Sequence, residues 1–258
     1  MAGNEWDAQA YDDRFGFVAH YGNDVLALLD PRPGERVLDV GCGTGRHAAL
    51  IARAGATVVG MDADEEMLRK ARGDHPGIDF VTADATAFGL DHLHATELFD
   101  ACFSNAALHW MRPPDAVLHN VRSVMRTAGR FVAEMGGAEN IAALDAALHD
   151  ALRDVGRVDV AVVENYFPTI GEHTTRLESA GFRVEYATWF RRPTPLAPGT
   201  SAADWTRHFR ASAWARIPEG QHRALAEAVN RHAADRGLRS ADGWTADYCR
   251  LRFVAVAT

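Results

Sequence analysis

The chain has 258 residues, 47% hydrophobic and 24% charged, with a formal net charge of −8. That length suits one large domain with room for a subdomain, and the composition is that of an ordinary globular protein. The acidic balance argues against a sequence-independent grip on nucleic acid, and no apolar run reaches the roughly 18–20 residues of a membrane span.

The opening stretch, MAGNEWDAQAYDDRF, lacks a basic region followed by an apolar core, so it is not a secretory leader and the chain reads as cytoplasmic. Trp6, Tyr11, Phe15 and Tyr21 make the segment ahead of the first strand aromatic, and Tyr11, Phe15 and Val18 share a helical face by spacing. Residues 1–35 are therefore expected to form lid helices ahead of the core. From there strand and helix alternate. RVLDV (36–40), TVVGMD (57–62), IDFVTAD (78–84) and LFDACFSN (98–105) are short β-rich runs, apolar on both faces. The helical patterns GRHAALIARAG and DEEMLRKARGDHP lie between them, stopped by Gly55 and by Pro76–Gly77. Strands of this kind separated by helices predict a parallel sheet covered on both sides. A helix over 113–128 and a fifth strand over 129–137 follow. Two helices are then expected within 138–181, a strand over 182–193, two or three helices within 193–243, and a final strand over 247–258 that returns to the sheet. Cys42, Cys102 and Cys249 are scattered and never paired as CxxC, so neither a disulfide framework nor a metal site is expected.

The turn after the first strand, GCGTGR, carries the chemistry. Without Cβ atoms, the backbone of Gly41, Cys42 and Gly43 can approach a ligand closely, and the following helix aims its N-terminus there. Asp62 ends the second strand, where an acid can accept both hydroxyls of a ribose; the competing role is a helix N-cap. A dinucleotide fingerprint wants GxGxxG, but here Gly45 precedes Arg46, giving GxGxG. Asp39, just before the turn, would repel a pyrophosphate and suit an ammonium group. No lysine of a triphosphate-binding loop follows.

These residues resemble the first motif of class I S-adenosylmethionine (SAM)-dependent methyltransferases, in LDVGCGTG. Further matches follow in order: VVGMD, TADATAF and FDACFSNAALHWM. The resemblance implies a Rossmann-like α/β fold: seven strands, mostly parallel, with an antiparallel last strand and a helical cap. It implies SAM as cofactor and S-adenosylhomocysteine as product. Asp39, Gly41, Cys42 and Gly43 would flank the amino-acid end, and Asp62 with Ala63 the ribose. Met67, Asp84 and Ala85 would lie at the adenine, and Asn105 would meet the methionine ammonium. For Asp84 a turn cap is the competing reading, and for Met67 plain core. More narrowly, the layout is similar to the trans-aconitate methyltransferase-like small-molecule enzymes, with SNAALHW, FVAEMGG and a late helical cap as the matching features.

The acceptor is less legible. His109 and Trp110 follow the fourth strand, at the edge where open α/β sheets place ligands. His109 could accept a proton from a nucleophile, order the cofactor, or simply pack in the turn. Tyr11, Phe15, His109 and Trp110 are the candidate substrate contacts. Arg191, Arg192, Arg207 and Arg210 could clamp a carboxylate, although solvated surface positions are the default. The resulting expectation is methyl transfer to a small molecule, on a carboxylate or hydroxyl oxygen, with no nucleic-acid or membrane partner. A SAM-binding protein without turnover and an NAD-dependent oxidoreductase are the competing readings. Nothing in the sequence distinguishes a monomer from a homodimer.

Overall fold

The computed structural model describes residues 24–258. Five strands lie parallel: β1 (Arg36–Val40), β2 (Thr57–Asp62), β3 (Asp79–Thr82), β4 (Phe99–Asn105) and β5 (Met125–Gly136). β8 (Gly243–Ala257) inserts antiparallel between β5 and β6 (Phe182–Pro195), giving the order β3-β2-β1-β4-β5-β8-β6. The short β7 (Arg239–Ser240) pairs with the start of β8. This is the expected Rossmann-like α/β sheet with its antiparallel last strand.

The strands lack polar alternation because both faces are covered. On one face Leu38, Val40, Phe131 and Phe253 pack with α3 (Pro114–Ser123) and α5 (Ile170–Ser179). On the other, Val37, Val58 and Phe103 pack with α1 (Arg46–Arg53), α2 (Glu65–Asp74) and a helical segment at 24–29. A separate core joins α4 (Ala142–Asp154), α6 (Ala202–Phe209), α7 (Ala211–Trp214) and α8 (His222–Asp235). Ala246 and Tyr248 of β8 enter that helical core, while Leu251, Phe253 and Ala255 enter the first, so β8 ties cap to sheet.

Several boundaries differ from the sequence expectation. The helix expected over 113–128 stops at Ser123, and β5 begins at Met125 rather than 129. The register jumps between Phe99↔Met125 and Ala101↔Arg130, and Ala128 takes a positive φ of 64° in the intervening excursion. Gly129 permits it, because a Cβ there would sit 2.8 Å from the Arg126 carbonyl oxygen. β8 starts at Gly243, earlier than 247, because Thr245–Asp247 pair with Pro193–Pro195.

Arg192 is not the solvated surface group of the default reading. It pairs with Glu134 of β5, which also receives Arg252 Nε at 2.8 Å. All three side chains are nearly buried. Arg191 and Arg207 are exposed; the first pairs with Glu139 and the second lies over the Trp214 ring.

Candidate functional site

The site forms at the carboxyl edge of β1, β2, β4 and β5. Beyond Val40, the Gly41 and Cys42 amides both donate to the Met61 carbonyl, at 2.8 and 3.0 Å, which fixes the turn to β2. Gly41, Gly43 and Gly45 all have positive φ, but for different reasons. A Cβ on Gly41 would run into Ala107, and one on Gly45 would lie 2.6 Å from the Phe80 ring. A Cβ on Gly43 would meet nothing within 4 Å. Gly41 and Gly45 thus serve packing, whereas Gly43 opens its Cα to free space. Cys42 is buried beneath the turn, and burial pushes its thiol well above the ordinary range.

Two carboxylates stand beside this turn. Asp39 is 2% exposed, and its Oδ2 is buried without a hydrogen-bond partner. Burial, then the charge of Asp62, pushes its pKa up to about 8, against the pull of the Ala48 amide in the first turn of α1. A buried carboxylate with an unmatched oxygen is a site waiting for a cation or a proton. Asp62 is organised differently: Oδ2 accepts from the Gly43 amide at 2.8 Å and Oδ1 from the Asp64 amide at 3.0 Å. Burial raises its pKa, and these amides oppose the shift. The N-cap of α2 is Asp64, which accepts from the Glu66 and Met67 amides, so Asp62 is not engaged in capping. Ala63 is exposed beside it, and Met67 is buried on α2.

After β3, Asp84 is exposed and its Oδ1 accepts from the amide and hydroxyl of Thr86, an Asx turn. Ala85 is buried, and its carbonyl accepts from Asn120 Nδ2 at 3.1 Å. Asn105 ends β4 opposite Glu134, and Ala106 then takes a φ of 56° while donating to the Glu134 carbonyl. The chain next makes the single helical turn Leu108–Trp110.

His109 is buried on that turn, its ring between those of Trp110 and Phe167 at centroid distances of 5.4 and 5.5 Å. Its Nδ1 accepts from the Gly136 amide at 3.2 Å. An amide only donates, so Nδ1 holds a lone pair and the ring proton lies on Nε2. Burial, then Arg250 and Arg210, drives the imidazole pKa well below its ordinary value. His109 is therefore neutral at pH 7 and a weak base, which weighs against the proton-accepting role. Trp110 is 37% exposed. Tyr11 and Phe15, also expected here, lie outside the described residues.

Sequence reading missed the segment between α4 and α5, in which Asn165, Tyr166 and Phe167 pass over His109. The Tyr166 amide and Asn165 Nδ2 both donate to the His109 carbonyl, at 3.0 and 3.4 Å. Arg210, too, is no solvated surface group: its side chain is 2% exposed and it pairs with Asp145 through Nε and Nη2, both at 2.9 Å. The segment has no periodicity to mark it; its one signal is the aromatic pair Tyr166–Phe167 beside a proline. Among the described residues no cluster of three or more His, Cys, Asp or Glu could hold a metal, and no helix is long and apolar enough to cross a membrane.

Comparison with known proteins agrees with this geometry. The family described as methyltransferase domain matches residues 37–129. An uncharacterized methyltransferase of Schizosaccharomyces pombe is 31% identical, covering 99% of both chains. A trans-aconitate 2-methyltransferase of Deinococcus radiodurans is 29% identical over 64% of this chain and 74% of its own, a weaker tie to that subgroup. A 23S rRNA (uracil(1939)-C(5))-methyltransferase of Dechloromonas aromatica is 31% identical over 69% of this chain but only 40% of its own. In fold, the chain is similar to an S-adenosylmethionine-dependent methyltransferase from Mesorhizobium loti, with a TM-score of 0.53 at 21% identity, covering 91% of this chain and 96% of that one. The glycine turn, its flanking carboxylates and the near full-length relative converge: this chain belongs to the SAM-dependent methyltransferases.

Proposed function

We propose that the protein transfers a methyl group from SAM to an oxygen of a small acidic molecule, a carboxylate in the first instance. The observation that carries the acceptor reading is the state of His109. Its Nδ1 lone pair is occupied by the Gly136 amide, so the group at the carboxyl edge is a donor and not a base. An acceptor that must lose a proton gains little from it. A carboxylate is already ionised at neutral pH, can receive the Nε2–H hydrogen bond, and suits the surrounding field of Arg250 and Arg210.

The residues present fit the cofactor. Asp39, with its unmatched buried oxygen, suits the methionine ammonium, together with backbone at Asn105. The bare Cα of Gly43, next after Gly41 and Cys42, leaves room for the aminoacyl chain. The Asp62 oxygens each have one backbone donor already and can take the ribose hydroxyls, with Ala63 alongside. Met67, Asp84 and Ala85 would border the adenine. When bound, the sulfonium supplies an electrophilic methyl; what remains for the protein is to align the acceptor and exclude water. Residues 138–181 and 193–243 would form the substrate-covering cap, and Trp110 an apolar contact to the acceptor; Tyr11, Phe15 and residues 1–23 of the expected lid lie outside the described residues.

The test is calorimetric titration with S-adenosylhomocysteine, with NAD as control. Labelled SAM is then offered with a panel of carboxylic acids (trans-aconitate included), phenols, amines and ribosomal RNA. The reading expects the homocysteine ligand to bind, NAD not to, and label to appear as a base-labile methyl ester. Label in RNA or on amines alone would refute the acceptor class, and NAD binding alone would refute the cofactor site. The net charge of −8 opposes the RNA outcome.

A further inference from the structure

One buried side chain of the helical cap, Arg210, orients the segment that crosses His109. Arg210 sits at the junction of α6 and α7 and, besides its Asp145 pair, donates from Nη1 to Asn165 Oδ1 at 2.9 Å and to the Phe209 carbonyl at 3.2 Å. A guanidinium only donates, so the Asn165 oxygen must face it. The Asn165 amide nitrogen is thereby turned toward the His109 carbonyl, which only accepts. The flip state of this asparagine is dictated from both ends. Two further bonds hold the same segment to the turn: the Tyr166 amide to the His109 carbonyl, and Arg112 Nη1 to the Glu164 carbonyl at 2.9 Å. Gly136 closes the other side, donating to His109 Nδ1, and a Cβ there would collide with Phe167. The imidazole is thus gripped between the end of β5 and a strap anchored in the cap.

We propose that Asn165, oriented by Arg210, is a positioning residue for methyl transfer: it holds the His109 turn at the height where Nδ1 meets the Gly136 amide, so that Nε2–H is the group offered to the acceptor. This deepens the acceptor reading above and rests on it for its catalytic meaning, although the geometric claim stands by itself. The arrangement also gives the cap a say in the state of the catalytic edge. A cap displaced enough to part Arg210 from Asn165 frees the asparagine amide to flip and so loosens its hold on the His109 turn.

The experiment reads His109 directly and needs no acceptor. Long-range proton–nitrogen spectra of 15N-labelled protein report which imidazole nitrogen carries the proton, with the His109 signals assigned by their absence in His109→Gln. The wild type is expected to show a single neutral Nε2–H form. Asn165→Ala, which removes both contacts, is expected to move the signals toward exchange between the two neutral tautomers. Asn165→Asp keeps an acceptor for Arg210 but loses the donor to His109, and should do the same. Affinity for S-adenosylhomocysteine should stay within about twofold in both, since neither touches the glycine turn. Arg210→Lys serves as a third variant, its folding checked by thermal melting. Wild-type spectra from a folded Asn165→Ala, or an Nδ1–H form in the wild type, would overturn the proposal. A tautomer shift as expected, together with methylation of a non-acid in the acceptor panel, would overturn the acceptor class and leave the positioning role standing.

Discussion

Replacing Asp39 with asparagine should make the protein more stable and a poorer cofactor binder at once. The carboxyl has a pKa of about 8 in the fold against 3.8 in the unfolded chain. Between those values the native state holds a proton that the unfolded state has released, so stability falls as pH rises through the window and levels off above about 8. At roughly 1.4 kcal/mol per unit, the group costs about 4 kcal/mol at pH 7. The amide of Asp39→Asn carries no charge but leaves a buried polar group imperfectly paired, at a cost of about 1–3 kcal/mol. The net gain is about 1–3 kcal/mol, or a rise of about 3–10 °C in melting temperature for a chain of this size. S-adenosylhomocysteine affinity should move the other way, losing a charge-assisted contact worth about 1.5–3 kcal/mol, roughly 10- to 150-fold. The assay is thermal melting of the apo protein from pH 5 to 9 beside calorimetry at pH 7. The difference between wild type and variant should grow steadily up to about pH 8. A variant that melts lower than wild type across the range and binds equally well would refute the reasoning.

The glycine turn offers a paired test. Gly43→Ala should cost about 1–2 kcal/mol of stability from its left-handed φ alone, yet weaken S-adenosylhomocysteine at least tenfold in calorimetry. Gly45→Ala adds a clash with Phe80 and should lose about 3 kcal/mol in denaturant melts. Asp62→Ala should weaken the same ligand by about 2–4 kcal/mol, and unchanged affinity would show that the ribose lies elsewhere. Glu134→Ala would take the shared carboxylate from two nearly buried guanidiniums, Arg192 and Arg252, and urea unfolding should report a loss of about 3 kcal/mol.

The parallel half of the fold was legible because its signals are local. The apolar runs of β1, β2 and β4 need no distant partner to be recognised, and Gly45 and Asp62 fall at fixed distances from them. The roles within the glycine turn were not separable in the sequence: Gly41 and Gly43 look alike until Ala107, far along the chain, is packed against one and not the other. His109 was visible as a residue but not as a donor, because its tautomer is set by Gly136, which belongs to another strand. Asn165 and Arg210 were invisible as a unit. Their bond joins an irregular segment to a helix junction, and neither spacing nor composition encodes such a pairing. Arg192 misled for a related reason, since a charged residue in an alternating strand reads as solvent-facing until Glu134 is found opposite.

The position of β8 bears on how the chain emerges from the ribosome. β5 completes the run of parallel strands, yet its outer neighbour is β8, which follows every other strand of the sheet in chain order. Until β8 emerges the amides and carbonyls of Arg130–Gly136 form an open, largely apolar border, and β6 has no place in the sheet because, among the described residues, its ladder is with β8 alone. A nascent chain stalled before residue 243 would carry a half-built sheet with a sticky margin, the kind of species that chaperones engage and that pairs with its own copies at high expression. Vectorial synthesis thus delays both the closing of the sheet and the seating of the cap to one late event, the arrival of a single strand.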